Sequence, residues 1–403
     1  MNQSIRKYFK GIAAKRLSEV EIRPSRSNQH EFNGTSMMRE LLGSERRVLE
    51  TTFLFISDDE NSKASEDSTT TWYDAREKHS TRIEYRLYYK DVAVLSKVNK
   101  DDLLVFCLLE SGKALVILAP KDSTIEKQVL WLFGLLEVDR KFIVKNFDTE
   151  NLEISFARNY ILESIGFEVQ VEESNFIDLI LAKFGGTFPS TEVFSTFSRS
   201  TLTGVSAIDD PDLALILWMQ QEEKLFKVLE KYLVEEKLKK GFGNDGVDVD
   251  DFINYSLSIH QRRKSRAGWA FDHHVAEVLR QNGVLFSRQS STEGKNKPDY
   301  IFPSIQHYKD PAYLDGLLTM LALKTTAKDR WRQILPEANR IKVKNLLTLE
   351  PSISIDQTNE MKNASVKLVV PKEVKLSYTQ DQQDEILDMR MFISEVLLKQ
   401  NSV

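Results

Sequence analysis

The 403-residue sequence has a single cysteine, Cys107, which excludes an intramolecular disulfide framework and any cysteine-rich zinc site. It has no apolar run approaching the ~18 residues of a membrane span, and its first residues, Met-Asn-Gln-Ser-Ile-Arg-Lys-Tyr-Phe-Lys, lack the apolar stretch of a secretory signal. A cytoplasmic protein is therefore expected. With only 10 prolines and 16 glycines, the composition is neither collagen-like nor low-complexity. Nor is one sign of charge in large excess: 55 basic against 60 acidic residues leave a net −5, which taken globally argues against a polyanion partner. What is present is ordinary globular material, 41% apolar and 29% charged. That is enough to build about two to three domains with real cores.

The distribution of charge reverses the global impression. Acid gathers in Asp58-Asp59-Glu60 and Glu66-Asp67, whereas Arg262-Arg263-Lys264-Ser265-Arg266 is basic apart from its serine. From Lys324 to Lys344, seven basic residues face two acidic ones, a local +5. Phosphate binding depends on such patches, because charges beyond a Debye length of about 10 Å are largely screened.

The texture of the chain changes near its middle. The first half reads as short strands, 47–56, 81–89, 102–109 and 114–118, with one helical pattern at 123–136, which suggests a compact barrel or sandwich. We expect a first domain over residues 1–175 and a linker or domain edge over 176–205, where Phe184-Gly185-Gly186-Thr187-Phe188-Pro189-Ser190 gathers loop-forming residues. A second domain is expected over 206–403. Asp210-Pro211-Asp212 starts a long helix that Gly241 stops, and a second helix is expected over 267–281. Strands at 284–287, 299–302, 318–325, 345–349 and 366–370, with helices at 329–340 and 381–400, imply an α/β sheet.

The chemistry gathers in this second half. Lys297-Pro298-Asp299 sets a carboxylate where an apolar strand begins, and Leu321-Ala322-Leu323-Lys324 sets an ammonium at the end of another. Phosphodiester hydrolysis wants this pair, since oxygen ligands hold Mg²⁺ and a lysine orients the attacking water. A solvated aspartate turn and a strand-end lysine fit the same pattern. The position two before the lysine, acidic in many nucleases, is Ala322, so a second ligand must come from elsewhere. Glu337, on the helix expected after the lysine strand, and Asp272, beside the apolar face of the preceding helix, are the candidates. His273 and His274, being adjacent on a helix, diverge by about 100° and do not chelate one ion together. Lys328, Asp329 and Arg330 carry the donors and acceptor that read G·C pairs in a major groove, although a charged outer helix face would look the same.

These residues resemble a known family. Arg262-Arg263-Lys264-Ser265-Arg266-Ala267-Gly268, Thr292-Glu293-Gly294 with Lys297-Pro298-Asp299, and Lys324-Thr325-Thr326 with Lys328-Asp329-Arg330-Trp331-Arg332-Gln333 are similar to the EcoRII-type restriction endonucleases. The resemblance implies a C-terminal α/β fold of the PD-(D/E)xK restriction endonuclease type and hydrolysis of double-stranded DNA with Mg²⁺. It also implies a homodimer formed through the catalytic domain and a target like CCWGG, protected in the host by a methyltransferase that need not touch the enzyme. In that pattern Asp299, Lys324 and Glu337 form the active site and Asp272 is an auxiliary acid. Asp299, Glu337 and Asp272 hold the metal, and Lys328, Asp329 and Arg330 read bases. Arg262, Arg263, Lys264, Arg266 and Arg332 are expected on the DNA backbone.

The N-terminal half is a fainter match to the family's B3-like pseudobarrel, which binds a second DNA copy as effector. The resemblance puts Asn28, Gln29, Arg76, Arg82, Glu84 and Arg86 on that DNA; a solvated β face is the plainer reading of the last three. One departure stands out: where the family holds flipped bases with an arginine and an aromatic, this chain has Leu217-Trp218-Met219-Gln220-Gln221-Glu222-Glu223. There Trp218 either stacks on a base or belongs to an apolar helix face. The alternative to an enzyme is a DNA-binding regulator whose nuclease fold does not cleave.

Overall fold

A computed structural model describes residues 4–22, 30–79, 82–90, 92–147, 152–167, 176–243, 245–294 and 296–402. The chain divides into two compact units: Met1–Phe167 with Pro351–Gln357, and Glu168–Glu350 with Thr358–Val403.

The first unit is built on one eight-stranded sheet. Its strands are β1 (Phe9–Arg16), β2 (Glu31–Asn33), β3 (Arg47–Phe55), β4 (Ala64–Asp74), β5 (Tyr85–Tyr89), β6 (Leu103–Leu109), β7 (Ala114–Ala119) and β8 (Ile143–Asn146). Their order is β2-β5-β4-β3-β7-β6-β1-β8, antiparallel throughout except for β3 beside β7. β7 is buried along its whole length and β6 along all but its last residue, as their unbroken apolar runs require. Cys107 lies among them with no access to solvent. Phe32, Phe53, Trp72, Tyr89 and Phe106 fill the core. Gly34 must be glycine, because a Cβ there would stand 2.6 Å from the Trp72 ring.

A helix, α1 (Thr124–Leu132), follows β7, and Asp58 accepts from the Thr124 and Ile125 N–H groups at its start, at 2.9 and 3.0 Å. Residues 351–357 return to this unit late in the chain. The Pro351 carbonyl accepts from Gln128 Nε2 at 3.0 Å, the Ser354 N–H donates to Thr124 Oγ1 at 3.1 Å, and Gln357 donates to Asp58.

The second unit begins with α2 (Phe176–Phe184) and α3 (Thr191–Ser200), so the stretch expected as a linker is helical. The glycines, proline and serine at 185–190 form only the turn between the two helices. Phe194 and Phe197 of α3 pack with Ile180 of α2 and with Leu225 and Leu229 of the next helix. That helix, α4 (Pro211–Lys240), starts and stops as the sequence predicts, with Asp210 accepting from Leu213 N–H and Gly241 in a left-handed conformation at φ 75°. α5 (Val249–Gln281) is longer than expected by 18 residues at its start, which places Arg262 to Arg266 in mid-helix.

A five-stranded sheet completes the unit: β9 (Ser287–Arg288), β10 (Tyr300–Phe302), β11 (Thr319–Lys324), β12 (Lys344–Thr348) and β13 (Val366–Val369), in the order β13-β12-β11-β10-β9. β11, β12 and β13 run parallel, and β10 is antiparallel to both its neighbours. Instead of an α-helix over 329–340, a 3-10 helix spans Lys328–Ile334 and ends in turns. Pro336 lacks the N–H an α-helix would need at that point. The closing helix is also shorter than expected, α6 (Met389–Gln400), with the separate helical piece Gln380–Glu385 before it.

Candidate active site

Antiparallel pairing of Tyr300 with Leu321 sets the start of β10 against the far half of β11. Asp299 is thereby carried to the Leu323 N–H, which donates to its Oδ2 at 2.7 Å, one residue before Lys324. Burial pushes the Asp299 carboxyl above its ordinary range, while the Leu323 hydrogen bond and the Lys324 charge pull the other way. Glu337 approaches the same place from the turn after the 3-10 helix. Its carboxyl is raised to about 7, first by burial and then by repulsion from Asp299, against the attraction of Lys324 and Lys344. Glu337 Oε2 is buried with no hydrogen-bond partner. Asp299, Lys324 and Glu337 are thus brought together, Glu337 on a turn rather than a helix.

Asp272 is differently committed. Its Oδ1 accepts from the Tyr300 hydroxyl at 2.6 Å and its Oδ2 from Arg288 at 2.5 Å. The expected third metal ligand is therefore already satisfied by a guanidinium and a phenol, and it acts on Asp299 only as a neighbouring negative charge that raises its pKa. Among the described residues no three His, Cys, Asp or Glu side chains converge on a common point. Arg288 and Tyr300 were not legible as part of the site, since a two-residue strand and an aromatic on a buried one carry no motif.

Two buried groups close by also escaped the sequence reading. Glu350, wholly buried, accepts from the Ala327 and Lys328 N–H groups through one oxygen at 2.5 and 2.9 Å. Lys344 donates to the Glu337 carbonyl and, at 2.7 Å, to the Ala338 carbonyl. A charged residue at each edge of a strand's apolar run was the only available signal.

Of the residues expected on DNA, Arg330 is exposed at the 3-10 helix, Lys328 is half-buried, and Asp329 lies on the same helix. Arg332 is exposed and pairs with Glu360 at 2.5 Å. The basic run on α5 separates into different environments. Arg263 and Lys264 are exposed, Arg263 pairing with the buried Glu230 at 2.6 Å, and Arg262 lies over Phe188. Arg266 is drawn inward, 9% exposed, donating to the Pro189 carbonyl at 2.6 Å and packed against Phe188, Phe194 and Phe226. It is a core residue, because its guanidinium finds aromatic faces and a carbonyl inside the helices. Trp218 is likewise 3% exposed, beside His274 and Arg199, and is not available to stack on a base.

In the first unit, Glu84 pairs with both Arg76 and Arg86, the latter at 2.7 Å, and Arg86 also pairs with Glu31, to which Tyr73 donates at 2.5 Å. These bonds lower the Glu84 carboxyl to about 2; burial, followed by the bond to Glu31, lifts the Tyr73 phenol to about 12. Arg82 is exposed, but it and Glu84 precede β5, so the three residues expected on one strand face are not all on the strand. Asn28 and Gln29 lie outside the described residues.

Against known proteins, residues 226–393 match the family model described as EcoRII C terminal. The chain is 39% identical over 188 residues to the type II restriction enzyme EcoRII of Escherichia coli, a match spanning 46% of each chain. The chain thus spans about half the length of the curated relative it matches. Two solved structures show a more distant likeness. Metal-depleted Ecl18kI in complex with uncleaved DNA is 20% identical at a TM-score of 0.45, over 56% of this chain and 84% of that one. The restriction endonuclease PspGI in a substrate DNA complex is 15% identical, also at 0.45, over 54% and 95%. Residues 226–393 are thus similar to the C-terminal domain of EcoRII.

Proposed function

We propose that the chain is a type II restriction endonuclease, IIE-like, that makes double-strand breaks in DNA at a short site resembling CCWGG. The observation that carries this is the buried, unpartnered Glu337 oxygen beside Asp299 and Lys324. A buried carboxylate without a donor is costly, and a cation is the natural compensation. The two carboxylates fit Mg²⁺, which when bound would supply charge against the scissile phosphate and acidify a water. Asp299 and Glu337 would hold the ion from opposite chain segments, with remaining positions left to carbonyls, water and phosphate. Lys324 orients the attacking water and offsets phosphate charge. Asp272, held by Arg288 and Tyr300, raises the Asp299 carboxyl pKa as a neighbouring negative charge. Lys328, Asp329 and Arg330 read G·C pairs, and Arg262, Arg263, Lys264 and Arg332 meet the backbone.

The first unit, on this reading, is a B3-like effector domain binding a second DNA copy through Arg76, Arg82, Glu84 and Arg86, and the enzyme works as a homodimer. Supercoiled plasmid incubated with the protein and Mg²⁺ should give discrete fragments. Asp299→Ala and Lys324→Ala should abolish cleavage while binding in Ca²⁺ persists. A gel shift without any cleavage by the wild type would instead identify a DNA-binding regulator.

A further inference from the structure

The residues proposed to read DNA and the carboxylate proposed to hold metal lie at opposite ends of one short segment, Ala327 to Ala338. Both ends are gripped by charges from one strand. Lys344, the first residue of β12, donates to the carbonyls of Glu337 and Ala338 and is 6% exposed. Glu350, two residues past the end of β12, takes the N–H groups of Ala327 and Lys328. It is itself fixed: its N–H donates to Thr348 Oγ1 at 3.1 Å, and Tyr378 donates to its carbonyl at 2.5 Å.

The signs suit the segment's polarity, a carboxylate at the end with free N–H groups and an ammonium at the end with free carbonyls. Backbone strain sits at the same two places. Lys328 at φ 21° and Ala338 at φ 50° adopt left-handed conformations that side chains other than glycine rarely take. Such conformations persist only where the surroundings impose them. Further bonds secure the Glu337 end, with Asn296 donating to the Pro336 carbonyl at 2.8 Å and Glu293 accepting from the Asn339 N–H at 3.2 Å. This gives a physical role to the Thr292-Glu293-Gly294 motif, which touches none of the proposed catalytic side chains.

We propose that Lys344 and Glu350 are positioning residues, a two-ended clamp from β12 that holds Ala327–Ala338 as one piece, so that base contacts and the metal carboxylate are set together. The inference rests on the endonuclease reading of Asp299 and Glu337. The tests use the full chain, and the first needs no metal. Hydrogen exchange of peptides covering 326–340 should accelerate in both Lys344→Met and Glu350→Gln. Manganese binding, followed by calorimetry, should weaken about tenfold or more in both variants, although Glu350 lies at the far end of the segment from Glu337. Lys344→Arg, which keeps the donors, should restore most of the affinity.

If Glu350→Gln binds manganese as the wild type does, the two ends are independent and the clamp is wrong. Should Lys344→Met fail to fold, the half-buried Asn296→Ala decides: unchanged manganese affinity and exchange there would also overturn the proposal. Asp299→Ala separates the two levels. If it binds manganese normally, the endonuclease site itself is misassigned; if it does not while the clamp variants do, only the clamp fails.

Discussion

Glu337 is the residue whose environment says most about the site. Its carboxyl is held at about 7 against an ordinary 4.5, so its neutral form is favoured by the fold. A raised carboxyl contributes stability that is complete below 4.5 and is lost as the pH rises through about 7. In metal-free protein, Glu337→Gln keeps the neutral shape and should be more stable than the wild type at pH 8 by about 1–2 kcal/mol, discounting for partial exposure. At pH 4.5 the two should be nearly equal. Denaturant unfolding in EDTA at both pH values measures this, and a pH-independent difference would show that Glu337 does not ionise in that window. Of the site, Asp299 and Lys324 were legible as a carboxylate and an ammonium at strand ends. Glu337 was legible as an acid downstream, but not as one borne on a turn, because the helical pattern through 340 hid the effect of Pro336. Asp272 was legible as an acid near the site, but not its engagement by Arg288, since sequence spacing carries no information about which cation reaches a buried carboxylate first.

Single elements separate residues that look equivalent in the sequence. Along α5, Lys264 faces out and Arg266 lies within an aromatic box. Arg266→Ala should therefore destabilise the protein by about 2 kcal/mol or more. Lys264→Ala should leave stability nearly unchanged and lower the slope of log binding constant against log salt by about one unit. Melting curves and salt titrations of DNA binding distinguish the two outcomes. Elements with continuous apolar stretches were the readable ones: β6 and β7 are apolar throughout, and β11 and β12 have apolar centres at 320–323 and 346–347. β4 was missed because its sequence, Ala-Ser-Glu-Asp-Ser-Thr-Thr-Thr-Trp-Tyr-Asp, buries only Thr70 and Trp72. The first half of α5 was missed for the same reason, since hardly any of it is buried before Arg266.

At the scale of the molecule, neither unit is one continuous stretch of chain. The first unit takes in Pro351–Gln357, where Ile353 is 1% exposed and Ser354 bonds to Thr124. On the proposed function, removing residues 1–175 should leave an active nuclease that added cognate duplex no longer stimulates. The same deletion removes Asp58, Thr124 and Gln128, the partners of 351–357. Limited proteolysis of the fragment should therefore cut near that segment, where the full chain resists. An inert but folded fragment would show that the first unit serves catalysis and not only its regulation. The two-part division and the change from strand-rich to helix-rich texture were legible from composition. The returning segment was not, because seven residues without a motif reveal nothing of which core receives them.

β12 lies between β11 and β13 and carries Lys344 at one edge, with Glu350 just beyond the other. A nascent chain that has emerged only as far as residue 340 already contains Asp299, Lys324 and Glu337, yet it lacks both Lys344 and Glu350, the clamp on the arm that bears the last of them. Under the endonuclease reading, catalytic competence is then among the final properties acquired during synthesis, and an unfinished or slipped sheet yields a harmless polypeptide rather than a loose nuclease.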